Sequence, residues 1–224
     1  SEMCIRDSPT SRFPRERYRM LHKMLCAYHE KQLPQDLSFN DDLKSTLGYM
    51  WKPLETAGIY VPGGTASYPS TVLMNSIPAM VAGVKDIVMA TPLTDGQINP
   101  SVLYAAKIVG IKKIYCMGGS QAVAAMAYGT ESVAPVNKIV GPGNIYVAEA
   151  KRQVSGFVGI DMFAGPSEIV VISDQNSDPK IISADLIAQS EHDKSAQSIL
   201  ITTDQALAEA VEKEVPSQLA VSYT

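Results

Sequence analysis

A glutamine and a histidine stand three residues apart in the segment LIAQSEHD, residues 186–193. A helix places positions i and i+3 on one face, so Gln189 and His192 would point to the same place. Imidazole is a common zinc ligand, an amide oxygen is an unusual one, and a zinc site needs about four ligands. The segment is therefore either part of a metal site or a helix end whose histidine interacts with the helix dipole.

The other histidines and the cysteines offer few further ligands. The chain has three histidines and three cysteines, and no two cysteines form a CxxC pair, which fits a reducing cytoplasm. His22 and His29 lie on a predicted amphipathic helix, where we expect them to pack or to face solvent. Cys116 closes a predicted strand, and we expect a buried apolar residue there rather than a nucleophile.

Two glycine-containing turns precede helices and are candidates for binding an anion. GPGNIY spans residues 141–146 and MGGSQ spans residues 117–121. Backbone N–H groups at a helix N-terminus attract phosphate. Asn144 either contacts a ligand or simply caps the helix that follows it. Ser120 presents the same alternative, and Gln121 is a further candidate for a ligand contact. No G-x-G-x-x-G dinucleotide fingerprint occurs.

A third motif, AGPSE, precedes a strand instead of a helix. Ser167 in this motif has no helix to cap, which favours a contact with something other than its own backbone.

The elements that must position these residues alternate regularly from Gly58 onward. Short apolar runs and helical segments follow one another at least five times, which predicts an α/β fold with a mainly parallel sheet whose strands are covered on both faces. Ligands in such sheets bind beyond the carboxyl ends of the strands. Upstream, residues 15–31 are predicted as a helix with an apolar stripe, and residues 35–57 show only a weak pattern. The stripe consists of Tyr18, Leu21, Leu25 and Tyr28.

Composition argues against two classes of partner. The 224 residues carry a formal net charge of −4 and no basic run, so a nucleic-acid partner is not expected. The longest apolar run covers residues 77–84, whereas a bilayer-spanning helix needs roughly 20 residues, so no membrane partner is expected either.

Five long segments, in this order, resemble the histidinol dehydrogenase family over about residues 15–219. That family oxidises L-histidinol to L-histidine through an aldehyde, with NAD and zinc as cofactors, in two hydride transfers. The resemblance implies a homodimer with two Rossmann-like domains, one of them discontinuous. The segments are GIYVPGGTASYPSTVLMNSIPAMVAGVKDIVMATP, GGSQAVAAMAYGT, KIVGPGNIYVAEAKRQV, GIDMFAGPSEIVVISD and ADLIAQSEHD.

The resemblance also implies roles for individual residues. It assigns NAD contacts to Tyr60, Gln121 and Asn144.

The resemblance to this family also assigns a histidinol contact to Ser167. It makes Gln189 and His192 zinc ligands that also lie at the substrate. The family's catalytic Glu–His pair, a zinc-binding Asp and a further zinc-binding His come after this helix, and no histidine follows His192 here. We therefore expect an incomplete chain, with no catalytic residue of its own and no activity alone.

The domain organisation follows from the same resemblance. Residues 12–59 and 167–224 are predicted to form a truncated, discontinuous zinc and substrate domain. Residues 60–166 are predicted to form the NAD-contacting domain, and residues 1–11 are an unmatched leader.

Two alternatives belong to other functional classes. One is a cysteine-dependent aldehyde dehydrogenase with Cys116 as its nucleophile. The other is a non-catalytic dinucleotide-binding module, which the coding sequence beyond Thr224 would distinguish from an enzyme.

Overall fold

The computed structural model describes residues 15–63, 69–163, 168–190 and 196–222. The chain divides into two compact units, with the division between Phe163 and Ala164. None of the helices in these ranges combines the length and the apolar character that crossing a bilayer would require.

The first unit begins with a helix and a hairpin and continues with alternating strands and helices. In chain order its elements are α1 (Arg15–Glu30), β1 (Leu37–Asn40), β2 (Thr46–Tyr49), β3 (Thr56–Tyr60), α2 (Pro69–Val81), β4 (Asp86–Ala90), α3 (Pro100–Ile108), β5 (Lys113–Tyr115), α4 (Gly119–Tyr128), β6 (Lys138–Val140), α5 (Ile145–Val154) and β7 (Gly159–Ile160).

Five of these strands form one sheet in the order β5-β4-β3-β6-β7, and every pairing in it is parallel. The register aligns Tyr60 with Ala90, and Ala90 with Tyr115, so these strands end at a common edge. From β3 the chain builds outward through β4 and β5, and it then returns to add β6 on the other side of β3. The strand order therefore reverses between β3 and β6, which is where open parallel sheets bind ligands.

Helices cover both faces of this sheet. One core contains Ile59 and Met89 with side chains of α2 and α3, and the other contains Ile139 with side chains of α4 and α5. Ile59, Met89 and Ile139 are each 0% exposed. The predicted α/β fold with parallel strands buried on both faces is confirmed for this unit.

The N-terminal part of the unit differs from expectation in two ways. Helix α1 has no fully buried residue: Tyr18 and Leu25 pack against the core, but Tyr28 is 61% exposed. Residues 37–49, which show no clear pattern, form an antiparallel hairpin with every strand residue exposed. Asp41 holds its turn by accepting hydrogen bonds from the N–H groups of Leu43 (2.9 Å) and Ser45 (2.8 Å).

The second unit is smaller. Its parallel strands β8 (Glu168–Ser173) and β9 (Gln197–Thr202) alternate with the helices α6 (Pro179–Ser190) and α7 (Gln205–Ser222). Its buried apolar core consists of Ile182, Leu207 and Val211. The expectation that these strands are covered on both faces is wrong, because alternate residues of both remain exposed.

The predicted domain boundary between residues 59 and 60 lies within β3, and it stays a prediction. The observed division lies three residues before the other predicted boundary, between residues 166 and 167. The grouping of residues 12–59 with residues 167–224 stays a prediction, and the leader at residues 1–11 lies outside the described residues.

Candidate functional site

Three strand-end turns meet the carboxyl edge of the five-stranded sheet on both sides of the reversal. One follows β3 at Tyr60, one leads from β5 into α4, and one leads from β6 into α5. The three predicted NAD contacts lie on these turns: Tyr60 ends β3, Gln121 lies in the first turn of α4, and Asn144 precedes α5. This edge is therefore where the turns that carry the three predicted NAD contacts meet.

Tyr60 ties the first two turns to each other. Its side chain belongs to the core and is 4% exposed. Its hydroxyl oxygen accepts a hydrogen bond from the N–H of Gly119, at 3.0 Å, at the beginning of α4. With the ring buried, any contact of the Tyr60 side chain with a ligand would have to come from its hydroxyl group.

Gln121 is exposed on the first turn of α4. The N-cap of this helix is Gly118, with no side-chain cap hydrogen bond, so a capping role for Ser120 is wrong. The Ser120 hydroxyl instead lies 3.5 Å from Oε1 of Gln121, within the helix. Within the described residues the N-cap supplies no side-chain acceptor, and the Tyr60 hydroxyl engages the N–H of Gly119, so the remaining backbone N–H groups of the first turn are candidates for binding an anion.

Asn144 is the N-cap of α5, as its position predicts. Its Oδ1 accepts a hydrogen bond from the N–H of Val147 at 3.1 Å, and its own backbone is extended. Its amide nitrogen is the hydrogen-bond donor that the Asn144 side chain could offer to a ligand.

An ion pair between the buried Lys151 and the partly exposed Asp161 contacts Gly141, the first residue of the Gly141–Asn144 turn, and was not predicted. Lys151 is 1% exposed, and its Nζ donates to Oδ1 of Asp161 and to the carbonyl oxygen of Gly141, both at 2.5 Å. The other carboxylate oxygen of Asp161 accepts a hydrogen bond from the N–H of Gly141 at 2.8 Å. A signal existed in the sequence: Lys151 lies between Val147 and Val154 on the buried face of α5, where a charged side chain must have a partner.

The pKa of Asp161 is lowered from its usual range. Burial is the largest influence and raises this pKa. The hydrogen bonds from Lys151 and from the N–H groups of Gly141 and Met162 together outweigh it. The carboxylate therefore stays ionised beside the ammonium, and its side chain is 22% exposed.

The backbone conformation and the close neighbours of Gly141 leave no room for a side chain at this position. Its φ is +118°, in the left-handed region, and an added Cβ would collide with the carbonyl oxygen of Tyr60. The turn after β6 is thus held directly against the end of β3.

In the second unit, two of the three predicted residues, Ser167 and His192, lie outside the described residues. Gln189 is half-buried in the last turn of α6 and is engaged in an interaction of its own. The next residue, Ser190, contacts the Ser198 hydroxyl at 2.9 Å, which places this end of α6 beside the beginning of β9. Across the described ranges, no three His, Cys, Asp or Glu side chains are close enough together to hold a metal ion.

A crevice of about 520 Å³ lies at the opposite, carboxyl edge of β8 and β9. It is lined by Ser173, Asp174 and Thr202, among others. Since Gln189 lies near the amino end of β9, this crevice is not the predicted zinc site.

The prediction that Cys116 is a buried residue is wrong. Cys116 is exposed at the end of β5 and is not a buried apolar residue. Cys26 on α1 is half-buried, with its sulfur 3.7 Å from Nε2 of His22. Its pKa is raised by burial and, secondarily, by Glu30, which disfavours the reactive thiolate.

Comparison with known proteins decides the family. The family model described as Histidinol dehydrogenase matches residues 14–223. The chain belongs to the histidinol dehydrogenase family. The histidinol dehydrogenase of Rhizobium meliloti is 61% identical over 193 residues, which are 86% of this chain and 44% of that protein.

The structural comparisons agree with this assignment. The crystal structure of histidinol dehydrogenase from Elizabethkingia anophelis has a TM-score of 0.87 at 42% identity, covering 92% of this chain and 48% of that one. The substrate-bound structure of Staphylococcus aureus AldH has a TM-score of 0.54 at 15% identity and shows a likeness of fold alone. This chain of the histidinol dehydrogenase family therefore spans less than half the length of the relatives it matches.

Proposed function

We propose that this chain supplies the NAD-binding part, and some of the zinc and substrate ligands, of an enzyme that oxidises L-histidinol to L-histidine through histidinaldehyde, at the end of histidine biosynthesis. One observation carries the proposal. The turns bearing Tyr60, Gln121 and Asn144 converge at the sheet edge where the strand order reverses, in a chain of this family.

NAD is proposed to lie across this edge. The N-termini of α4 and α5 both begin there, and their backbone N–H groups suit the diphosphate of a dinucleotide. The Gln121 side chain and the Asn144 amide nitrogen would add hydrogen bonds. The Tyr60 hydroxyl, held by Gly119, would add another from the β3 side of the reversal.

Gln189, with His192, is proposed to bind zinc and L-histidinol, and Ser167 to contact L-histidinol. One imidazole and one amide oxygen are too few for a zinc site, so in the complete enzyme the remaining ligands come from residues outside this chain. When bound, zinc would serve as a Lewis acid that orients the nitrogen atoms of the substrate. We expect the chain alone to bind zinc weakly.

No catalytic residue is proposed within this chain, and the complete enzyme is proposed to act as a homodimer. We therefore expect no NADH to form when the purified chain is incubated with NAD⁺, L-histidinol and Zn²⁺. Zinc-dependent turnover by the chain alone would contradict this assignment of roles.

Calorimetric titration of the 224-residue chain with NAD⁺ tests the NAD site. We expect saturable binding that Gln121→Ala weakens about tenfold, the effect of one lost hydrogen bond to a charged group. Gln153→Ala is the matched control, because that exposed glutamine lies at the far end of α5, where it contacts Glu149. Absence of saturable binding by the unmodified chain would refute the proposal.

The exposed thiol of Cys116 permits a direct test of the cysteine-dependent alternative. In a complete enzyme that carries this segment, we expect Cys116→Ser to retain full activity. Loss of activity with unchanged NAD⁺ binding would favour the thiol as a nucleophile instead.

A further inference from the structure

Lys151 is the only charged side chain among those less than 2% exposed in the described residues, and the proposed function gives it no role. A buried ammonium group needs hydrogen-bond partners, and the partners of Lys151 all involve one turn. Lys151 contacts the carbonyl oxygen of Gly141 and the carboxylate of Asp161, and Asp161 contacts the N–H of Gly141. The pair thus engages both backbone polar groups of one residue.

That residue begins the turn between β6 and α5. Gly141 lies against the carbonyl oxygen of Tyr60, and three residues later Asn144 caps α5. A displacement of Gly141 would therefore move the α5 N-terminus relative to the end of β3. Those two places flank the strand-order reversal at which NAD is proposed to bind.

An ion pair is a poor means of gaining stability at such a site. Replacing a buried pair with apolar side chains of similar volume is often neutral or stabilising, because burial removes hydration from the ions. Here that cost falls mainly on Lys151, because the Asp161 side chain is 22% exposed. What this pair supplies, and apolar side chains cannot, is two directed hydrogen bonds that fix the orientation of the Gly141 peptide groups.

We infer that Lys151 and Asp161 are positioning residues, which hold the Gly141–Asn144 turn in the arrangement that binds the dinucleotide. This inference rests on the proposed function of the sheet edge as an NAD site. It gives the pair no contact with NAD and no part in the chemistry, so its effect is confined to how well the turn is preorganised for the ligand.

The double variant Lys151→Met/Asp161→Asn tests the inference, since it removes both charges and leaves neither ion unpaired. We expect NAD⁺ to bind this variant about tenfold or more weakly, the loss of about one charge-assisted hydrogen bond. The Gly141 amide hydrogen should also exchange faster with solvent, which reports on the turn without any ligand.

The matched control is Arg152→Met/Glu149→Gln, which removes the exposed ion pair of the same helix, where Arg152 donates to Glu149 at 2.6 Å and 2.8 Å. We expect its NAD⁺ affinity and its Gly141 exchange to match those of the unmodified chain. A role confined to stability would lower the melting temperature of the first double variant and leave the affinity of the folded protein unchanged, and that result would overturn the inference.

If Lys151→Met/Asp161→Asn does not fold, Asp161→Glu decides the question, because it keeps the charge and shifts the carboxylate by one methylene. A Kd at least about fivefold higher supports the inference, and an unchanged Kd overturns it. Failure of the unmodified chain to bind NAD⁺ would overturn both this inference and the proposed function. Normal binding by the variants would overturn the inference alone.

Discussion

The five-stranded sheet and the two-stranded sheet bury their strands to very different degrees. Ile59 and Met89, in β3 and β4, are 0% exposed, whereas Ile172 in β8 is 79% exposed and Ile201 in β9 is 52% exposed. Helices cover both faces of the first sheet, but the packed side of the second sheet meets only the small core formed with α6 and α7. Similar strand sequences therefore stand in two different environments.

This contrast in burial indicates which predicted ligands the chain can position by its own packing. Tyr60 and Asn144 stand on turns that are anchored in a core closed on both sides. Gln189 stands on a helix whose unit has a much smaller core. We accordingly expect NAD⁺ binding to be the more robust property of the chain, and zinc binding the weaker one.

The largest expected effect comes from shortening one isoleucine in each sheet. Ile59→Ala should lower the free energy of unfolding of the first unit by about 2–5 kcal/mol, because it removes fully buried methyl groups and leaves a cavity. Ile172→Ala should change the stability of the second unit by less than about 0.5 kcal/mol, because its side chain is already exposed. Amide hydrogen exchange in increasing urea, followed by mass spectrometry, measures the two units separately.

The comparison would fail if both substitutions had similar costs. A large loss in Ile172→Ala would mean that the face of the second sheet is covered in solution, for example by another copy of the chain.

The first unit is also expected to be sensitive at a single turn. Gly141→Ala should cost about 1–3 kcal/mol, because an alanine is strained at a φ of +118° and its Cβ would meet the Tyr60 carbonyl oxygen. Gly156 is the matched control, with a φ of +94° and nothing within 4 Å of an added Cβ. Gly156→Ala should therefore cost only the backbone strain, about 1 kcal/mol.

Urea unfolding of the two variants measures this difference. Equal losses would indicate that the turn moves freely away from Tyr60, and the close approach of β3 and the turn would then have no energetic consequence.

The sequence predicts the first unit well because its signals are local. Apolar runs alternate with helices, and Asn144 caps α5 as its position predicts. Asn99 likewise caps α3, where its Oδ1 accepts a hydrogen bond from the N–H of Ser101 at 2.9 Å. Caps and apolar periods depend on neighbouring residues, so they can be recognised without knowledge of the tertiary fold.

The features that were missed depend on contacts between distant residues. The Tyr60–Gly119 hydrogen bond joins residues 59 positions apart, and no local pattern marks it. The hairpin of β1 and β2 exposes every strand residue, so it lacks the alternation of buried and exposed positions by which strands are predicted. The exposure of β8 and β9 depends on what packs against them, which their own apolar sequences do not specify.

Substitutions at the helix caps compare the two units again, with a smaller expected loss of stability. Asn144→Ala should destabilise the first unit by about 1 kcal/mol and should also weaken NAD⁺ binding, because the cap and the proposed ligand contact are the same side chain. Asp178 caps α6 in the second unit, where its Oδ1 accepts from the N–H of Lys180 at 2.8 Å. Asp178→Ala should cost a similar amount of stability and leave NAD⁺ binding unchanged.

Calorimetric titration and thermal unfolding of both variants separate these effects. If Asp178→Ala reduced NAD⁺ affinity as much as Asn144→Ala, the assignment of NAD to the first unit alone would be wrong.

The smallest expected effect is a dependence on pH that arises from Asp161 in the first unit. Its folded-state pKa lies below the usual value, so the unfolded chain, with a pKa of about 3.9, takes up protons first as the pH falls. The stabilisation from Asp161 is therefore fully present above about pH 4 and is lost as the pH falls through the folded-state pKa. Relative to Asp161→Asn, the unmodified chain should be more stable near neutral pH, and the difference should shrink in acid.

Urea unfolding of the two proteins between neutral and acidic pH measures that difference directly. The exposed Glu149, whose pKa is lowered to about 2 chiefly by its hydrogen bonds to Arg152 and Gln153, titrates equally in both proteins and cancels. A stability difference that stays constant with pH would show that the carboxylate of Asp161 does not gain from Lys151 and Gly141 in the folded state. In that case the turn would be held by packing against Tyr60 alone, and the first unit would owe its anchored turns to its core and not to the Lys151–Asp161 ion pair.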